Sequence, residues 1–153
     1  MLKFVNYNIV FQEVPGEVTL AINLSNCPNR CKGCHSPYLR DDIGEILDNN
    51  ILLGLLEKYG NAITCVCFMG GDASPQEIEQ CSAFVRNNTD RRIKIGWYSG
   101  KNRFPQECSL QSFDYIKLGA YVEHLGGLGT KTTNQRFYRV DNENLINITE
   151  AFS

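Results

Sequence analysis

The sequence has two histidines, His35 and His124, and one tryptophan. A mechanism built on histidine acids and bases therefore has little to stand on, and His124 is expected at the surface. There is no dense run of Lys or Arg, and 15 basic against 17 acidic side chains leave a formal net charge of −2. Nucleic-acid binders carry a basic stripe, so no nucleic-acid partner is expected. No stretch approaches the ~18 consecutive apolar residues of a membrane span, so no membrane partner is expected. The opening residues, Met1-Leu2-Lys3-Phe4-Val5-Asn6-Tyr7, lack the basic segment and apolar run of a secretory signal, which argues for a cytoplasmic protein. Repeats, low-complexity tracts and linkers are missing too. A chain of 153 residues is then expected to fold as one domain, 1–153, with a core of its own.

Cysteine is not scarce: there are seven. An odd count without secretory features argues against a disulfide framework and for thiols kept for metal or packing. Three of them lie in Cys27-Pro28-Asn29-Arg30-Cys31-Lys32-Gly33-Cys34-His35, a C-x3-C-x2-C spacing. When such a loop curls, Cys27, Cys31 and Cys34 can face one point, which suits an iron–sulfur cluster. A 4Fe-4S cluster has four irons, so three cysteines leave one iron open to a small molecule, much as catalytic zinc keeps an open position. The rival is zinc in a Cys3His set completed by His35; adjacent Cys34 and His35 side chains diverge, which disfavours one ion. Cys65 and Cys67 face the same side of an apolar run and read as core, as does Cys81 on a helix face. Cys108 falls in a loop, its role open.

Residues 2–11 alternate loosely and end at the Pro15-Gly16 turn signal, which predicts a strand or arm. Val18, Leu20, Ile22 and Leu24 alternate with polar or small neighbours, a strand that runs straight into the cysteine loop. Ile43, Ile46, Leu47, Leu53, Leu56 and Tyr59 recur at helical spacing, interrupted by Gly44 and Gly54. Residues 62–68 form a short β-rich apolar run, a buried strand. Ser74-Pro75 with Glu77 predicts a serine-capped helix. Residues 93–97 and 113–118 predict two more core strands. Residues 126–136 read as a Gly- and Thr-rich loop, and 137–148 as a β-rich tail turning at Asp141-Asn142. Strands alternating with helices imply βα units and a mostly parallel α/β sheet.

The cysteine loop resembles that of the radical S-adenosylmethionine (SAM) enzymes. That resemblance implies a 4Fe-4S cluster held by Cys27, Cys31 and Cys34, whose open iron chelates SAM. Gly70-Gly71-Asp72, just past the next strand, is similar to the superfamily's GGE-type motif, with Asp for Glu, and is implied to bind the SAM amino group. Ser99, at the end of the following strand, is implied to lie near the ribose and carboxylate. Gly33 and His35 flank Cys34 where relatives often carry an aromatic residue near the adenine. Gly33 cannot stack, and His35 is the candidate.

The whole chain resembles one family within that group, the activating proteins of anaerobic ribonucleoside-triphosphate reductases. The loop CPNRCKGCHSP, the chain length and the segment Thr130-Lys131-Thr132-Thr133-Asn134-Gln135-Arg136 after Gly119-Ala120-Tyr121 carry the resemblance. It implies a partial, open TIM-like (βα) barrel, since a full (βα)8 barrel needs about 200 or more residues. Residues 17–100 would form the cluster and SAM-binding core. Residues 101–153 would complete the barrel and face the partner, with Asn134, Gln135 and Arg136 holding SAM or an incoming peptide loop. The implied activity is hydrogen abstraction from a glycine of the large reductase subunit, with an electron donor such as flavodoxin or ferredoxin. Activation of a pyruvate formate-lyase-type enzyme and, in another class, a zinc-binding interaction module are the alternatives.

Overall fold

The computed structural model describes residues 2–25, 27, 41–89 and 93–152. Eight strands form one sheet: β1 (Lys3–Val10), β2 (Thr19–Leu24), β3 (Glu45–Ile46), β4 (Cys65–Met69), β5 (Lys94–Tyr98), β6 (Tyr115–Leu118), β7 (Arg136–Asp141) and β8 (Asn144–Asn147). Their order is β3-β1-β2-β4-β5-β6-β7-β8, so the sheet is open, with β3 and β8 at its margins. Helix α1 (Asn49–Tyr59) precedes β4, and helix α2 (Pro75–Asn88) joins β4 to β5. The fold class is mixed α/β.

β2, β4, β5 and β6 pair in parallel. The other pairings, β1 with β2 and β3, and β7 with β6 and β8, are antiparallel. The expected mostly parallel sheet is therefore corrected: three pairings are parallel, in a central block, and four are antiparallel. The flanking strands turn back antiparallel, through hairpins between β1 and β2 and between β7 and β8, and through longer connections before β3 and β7. One of these turns at Asn142, whose φ is +57°, a left-handed conformation that asparagine tolerates. It is the turn expected at Asp141-Asn142.

Two sequence expectations shift. The helical pattern from Ile43 resolves into the short β3 and then α1. Asp48 starts that helix, its carboxylate accepting from Ile51 N at 2.9 Å. Gly44 lies outside the helix at φ +95°, and a Cβ there would sit 2.2 Å from Phe4 O. Gly54 stays inside α1, on a turn where a Cβ would meet nothing. At α2, Ser74 makes no side-chain cap. Its carbonyl accepts from Glu77 N and Ile78 N, while Glu77 reaches instead to Leu2 N at 2.5 Å. The expected capping box is replaced by a tie between helix and N-terminal strand.

The sheet has two unlike faces. Leu20, Ile22, Val66, Phe68, Ile95, Trp97 and Ile116 point to α1 and α2 and meet Leu52, Ile78 and Val85 in the main core. Alternation puts Cys65, Cys67, Met69, Tyr98, Tyr115 and Phe137 on the other face, where Val14, Leu128, Ile148 and Phe152 cover them. Val14, at the tip of the β1–β2 hairpin, is fully buried. The Tyr98 hydroxyl donates to the Glu13 carbonyl beside it. The hairpin tip thereby closes this face at the amino end of the parallel strands and leaves the carboxyl end to the loops.

Candidate functional site

Ligands in α/β sheets bind at the carboxyl ends of parallel strands, and Gly70, Gly71, Asp72 and Ser99 lie there, just past β4 and β5. β2 ends at Leu24 and leads to Cys27, which is partly exposed. Cys31, Gly33, Cys34 and His35 lie outside the described residues. Among the described residues, no group of three or more His, Cys, Asp or Glu is arranged to hold a metal ion.

Past β4, Gly70 and Gly71 take φ of +105° and +87°, which side chains rarely adopt. A Cβ on Gly71 would lie 2.4 Å from Ile78 Cδ1. The double glycine thus lets the chain turn sharply against α2. Gly70 is pinned from both sides: its N–H donates to Tyr98 O at 2.9 Å, and its carbonyl accepts from Trp97 Nε1 at 2.7 Å. Trp97 is fully buried and stacks on Phe113 at 5.5 Å between centroids. The loop geometry is therefore anchored in the main core.

Asp72 and Ser99, singled out separately in the sequence, meet. The Ser99 hydroxyl donates to Asp72 Oδ1 at 2.6 Å. Gly100 N donates to Asp72 Oδ2 at 2.8 Å, and Lys101 N donates to Ser99 Oγ at 3.1 Å. Both residues are buried. A buried carboxylate held by charge-assisted bonds locks the loop after β4 to the loop after β5. A cleft of about 530 Å³ opens beside Asp72, lined also by Pro75, Lys101, Arg103 and Phe104.

The 134–136 segment divides. Asn134 Nδ2 donates to Ala120 O at 3.0 Å, and its Oδ1 is buried with no hydrogen-bond partner among the described residues. Gln135 is buried, with Nε2 3.4 Å from Gly119 O. Arg136 is exposed, and its Nη1 donates to Thr133 O and Gln135 O at 2.7 and 2.8 Å. Leu118 pairs with Arg136, and Ile116 with Tyr138, whereas Lys117 pairs with Phe137. Arg136 therefore sits on the opposite side of β7 from Phe137, where it braces its own loop and lines a separate cleft of about 620 Å³.

Sequence reasoning passed over Lys117. It is buried on the Tyr98 face, with Nζ 3.1 Å from Gly119 O and 5.5 Å from the Tyr98 ring centroid. The signal was available: a lysine inside the apolar strand Tyr115-Ile116-Lys117-Leu118 is costly to bury unless paired.

Cys65, Cys67 and Cys81 sort as packing, while Cys108 is half-buried in a loop. Cys65 and Cys67 are fully buried, and burial pushes the Cys65 thiol up to about 12 and Cys67 well above its usual range. Burial raises Cys81 and Cys108 to about 11. Reactive cysteines have lowered values, so these four are poor nucleophiles. His124 is exposed, as expected. No described helix is long and apolar enough to cross a membrane. Comparison with protein-family models, with curated proteins and with solved structures found no match.

Proposed function

We propose that this chain is a radical SAM activase. It cleaves SAM reductively and abstracts a hydrogen from a glycine of an anaerobic ribonucleoside-triphosphate reductase, on a partial, open TIM-like barrel. The observation that carries the reading is the lock between Asp72, Ser99 and Gly100, set at the same sheet edge as the exit of β2 toward the C-x3-C-x2-C loop. Two motifs that the resemblance assigns to one cosubstrate are joined there by direct bonds.

The residues present fit a SAM ligand. The Asn134 Oδ1 is a buried acceptor with no donor among the described residues, and such groups are rare unless a ligand or water completes them. Gly70 and Gly71, at positive φ, let the turn after β4 pack directly on Leu24 and Ile78, which holds Asp72 beside Ser99. Cys27, Cys31 and Cys34 would hold the cluster, which when bound would supply the electron that breaks the sulfonium and yields a 5′-deoxyadenosyl radical. Around it, the protein's task is positioning. Asp72 fixes Ser99 in place to orient the sugar and carboxylate, and buried Lys117 supplies a fixed positive charge at the same edge. The Trp97–Gly70 bond keeps the turn after β4 from yielding when ligand binds. The open sheet leaves a lateral approach for a protein substrate, which a closed barrel would block.

The test is anaerobic reconstitution with iron and sulfide, reduction in the presence of SAM, and assay of 5′-deoxyadenosine. A glycyl radical signal by electron paramagnetic resonance with the reductase completes the reading. Deoxyadenosine without that signal would transfer the activity to another partner, such as a pyruvate formate-lyase-type enzyme. One colourless zinc in place of about four irons would overturn it.

A further inference from the structure

The Tyr98 side of the sheet is covered unevenly. Over β4 to β7 it is buried beneath Val14, Leu128, Ile148 and Phe152. Over β1 and β2 it carries carboxamides. Asn6 pairs with Asn23, and Asn8 with Ala21; Asn23 and Ala21 pair with Met69 and Cys67, which puts Asn6, Asn8 and Asn23 on this same face. Asn6 and Asn8 are exposed and Asn23 is half-buried. Asn23 Nδ2 donates to Asn6 Oδ1 at 2.6 Å. Asn6 Nδ2, Asn23 Oδ1 and both ends of Asn8 have no partner among the described residues.

Asparagine disfavours strands, so three on adjacent positions of one face run against propensity. Each offers one acceptor and two donors, the complement of a peptide group. The strip holds no ionisable side chain, so the surface it complements is neutral and amide-rich: polypeptide backbone rather than a phosphate or a charged metabolite. Its position suits the reaction. The row Asn6, Asn23, Met69, Tyr98 runs across the sheet. At about 4.8 Å per strand, Asn6 lies about 10 Å from Met69, the residue before the Gly70 turn. Three or four extended residues cover that distance.

Resting on the function proposed above, we infer that Asn6, Asn8 and Asn23 form a backbone-reading strip. It grips the extended segment next to the target glycine and delivers the glycine to the Gly70–Ser99 edge. Recognition through backbone amides would make the segment's conformation, rather than its side chains, the requirement.

The experiment compares the full chain with Asn6→Ala/Asn8→Ala, using the purified large subunit of an anaerobic ribonucleotide reductase as probe. Three quantities are measured: 5′-deoxyadenosine formed from SAM without the subunit, affinity for the subunit, and glycyl radical yield. The expected result is unchanged deoxyadenosine, with affinity and radical yield each reduced at least tenfold. Wild-type affinity in the double variant overturns the strip and leaves the activase reading intact. Loss of deoxyadenosine in the double variant alone also overturns it, because the residues would then serve the cofactor. Absence of deoxyadenosine from the wild type overturns the activase reading, and the strip with it. If the double variant fails to fold, Asn8→Ala, whose side chain makes no hydrogen bond to a described residue, carries the same comparison, with at least a threefold drop expected and wild-type affinity overturning the strip.

Discussion

The two faces of the sheet do different work with the same strands. Toward the helices, every inward residue of the central strands is apolar, and Ile22, Phe68, Trp97 and Ile116 form a continuous row fully removed from water. On the other side the same register brings together Asn23, Met69, Tyr98 and Lys117. One face is a core whose only demand is shape and volume. The other mixes sulfur, phenol, amide and ammonium groups, closed at its floor by Val14 and left to loops at its carboxyl rim. A strand residue's role in this molecule follows from its parity before its identity.

That contrast can be broken at several points. The largest effect is expected at the rim: Cys27→Ala should abolish cluster iron and reduce deoxyadenosine to background, read by iron analysis and product assay, with little change in thermal stability. On the helix face, Phe68→Ala removes a fully buried ring and should cost about 3–5 kcal/mol by urea denaturation. Asp72→Ala strips partners from Ser99 Oγ and Gly100 N. It should lower stability by about 1–3 kcal/mol and SAM affinity by tenfold or more, whereas Ser99→Ala should affect SAM affinity more than folding.

The polar face should also show in pH dependence. Cys65 carries a thiol raised from 9.0 to about 12 in the folded protein, so the native state holds its proton where the unfolded chain has lost it. Stability is intact below about pH 9 and falls as pH climbs toward 12. Urea midpoints at pH 8 and 10.5 should decline in the wild type and decline less in Cys65→Ala. The smallest effect is expected at Arg136→Ala, which removes bonds to two carbonyls of its own loop from an exposed side chain. It should cost under about 1 kcal/mol. Unchanged SAM affinity and unchanged activation in that variant would remove Arg136 from the site.

Local pattern was enough wherever it was strongly periodic or chemically marked. The alternation before Cys27, the apolar run ending in Gly70-Gly71, the Ser74-Pro75 start and the Asp141-Asn142 turn all correspond to observed elements. Cys65 and Cys67 read as core because their spacing placed both on one side of a buried strand, and both are fully buried. The Ile43–Tyr59 segment was less legible, since Gly44 and β3 are decided by Phe4 on a distant strand. Ser74 failed as a cap for a similar reason: Glu77, its expected partner, is drawn to Leu2.

Residue type and spacing nominated the cysteine loop, and family resemblance nominated the Gly-Gly-Asp turn and Ser99, because both rest on local stretches of sequence. Three-dimensional packing alone brought Asp72 onto Ser99, turned Arg136 away from the Tyr98 face, buried Lys117 at the rim and left the asparagines of β1 bare. Those outcomes depend on strand order and register, which are set by the summed burial of two faces and by contacts many residues apart in the chain.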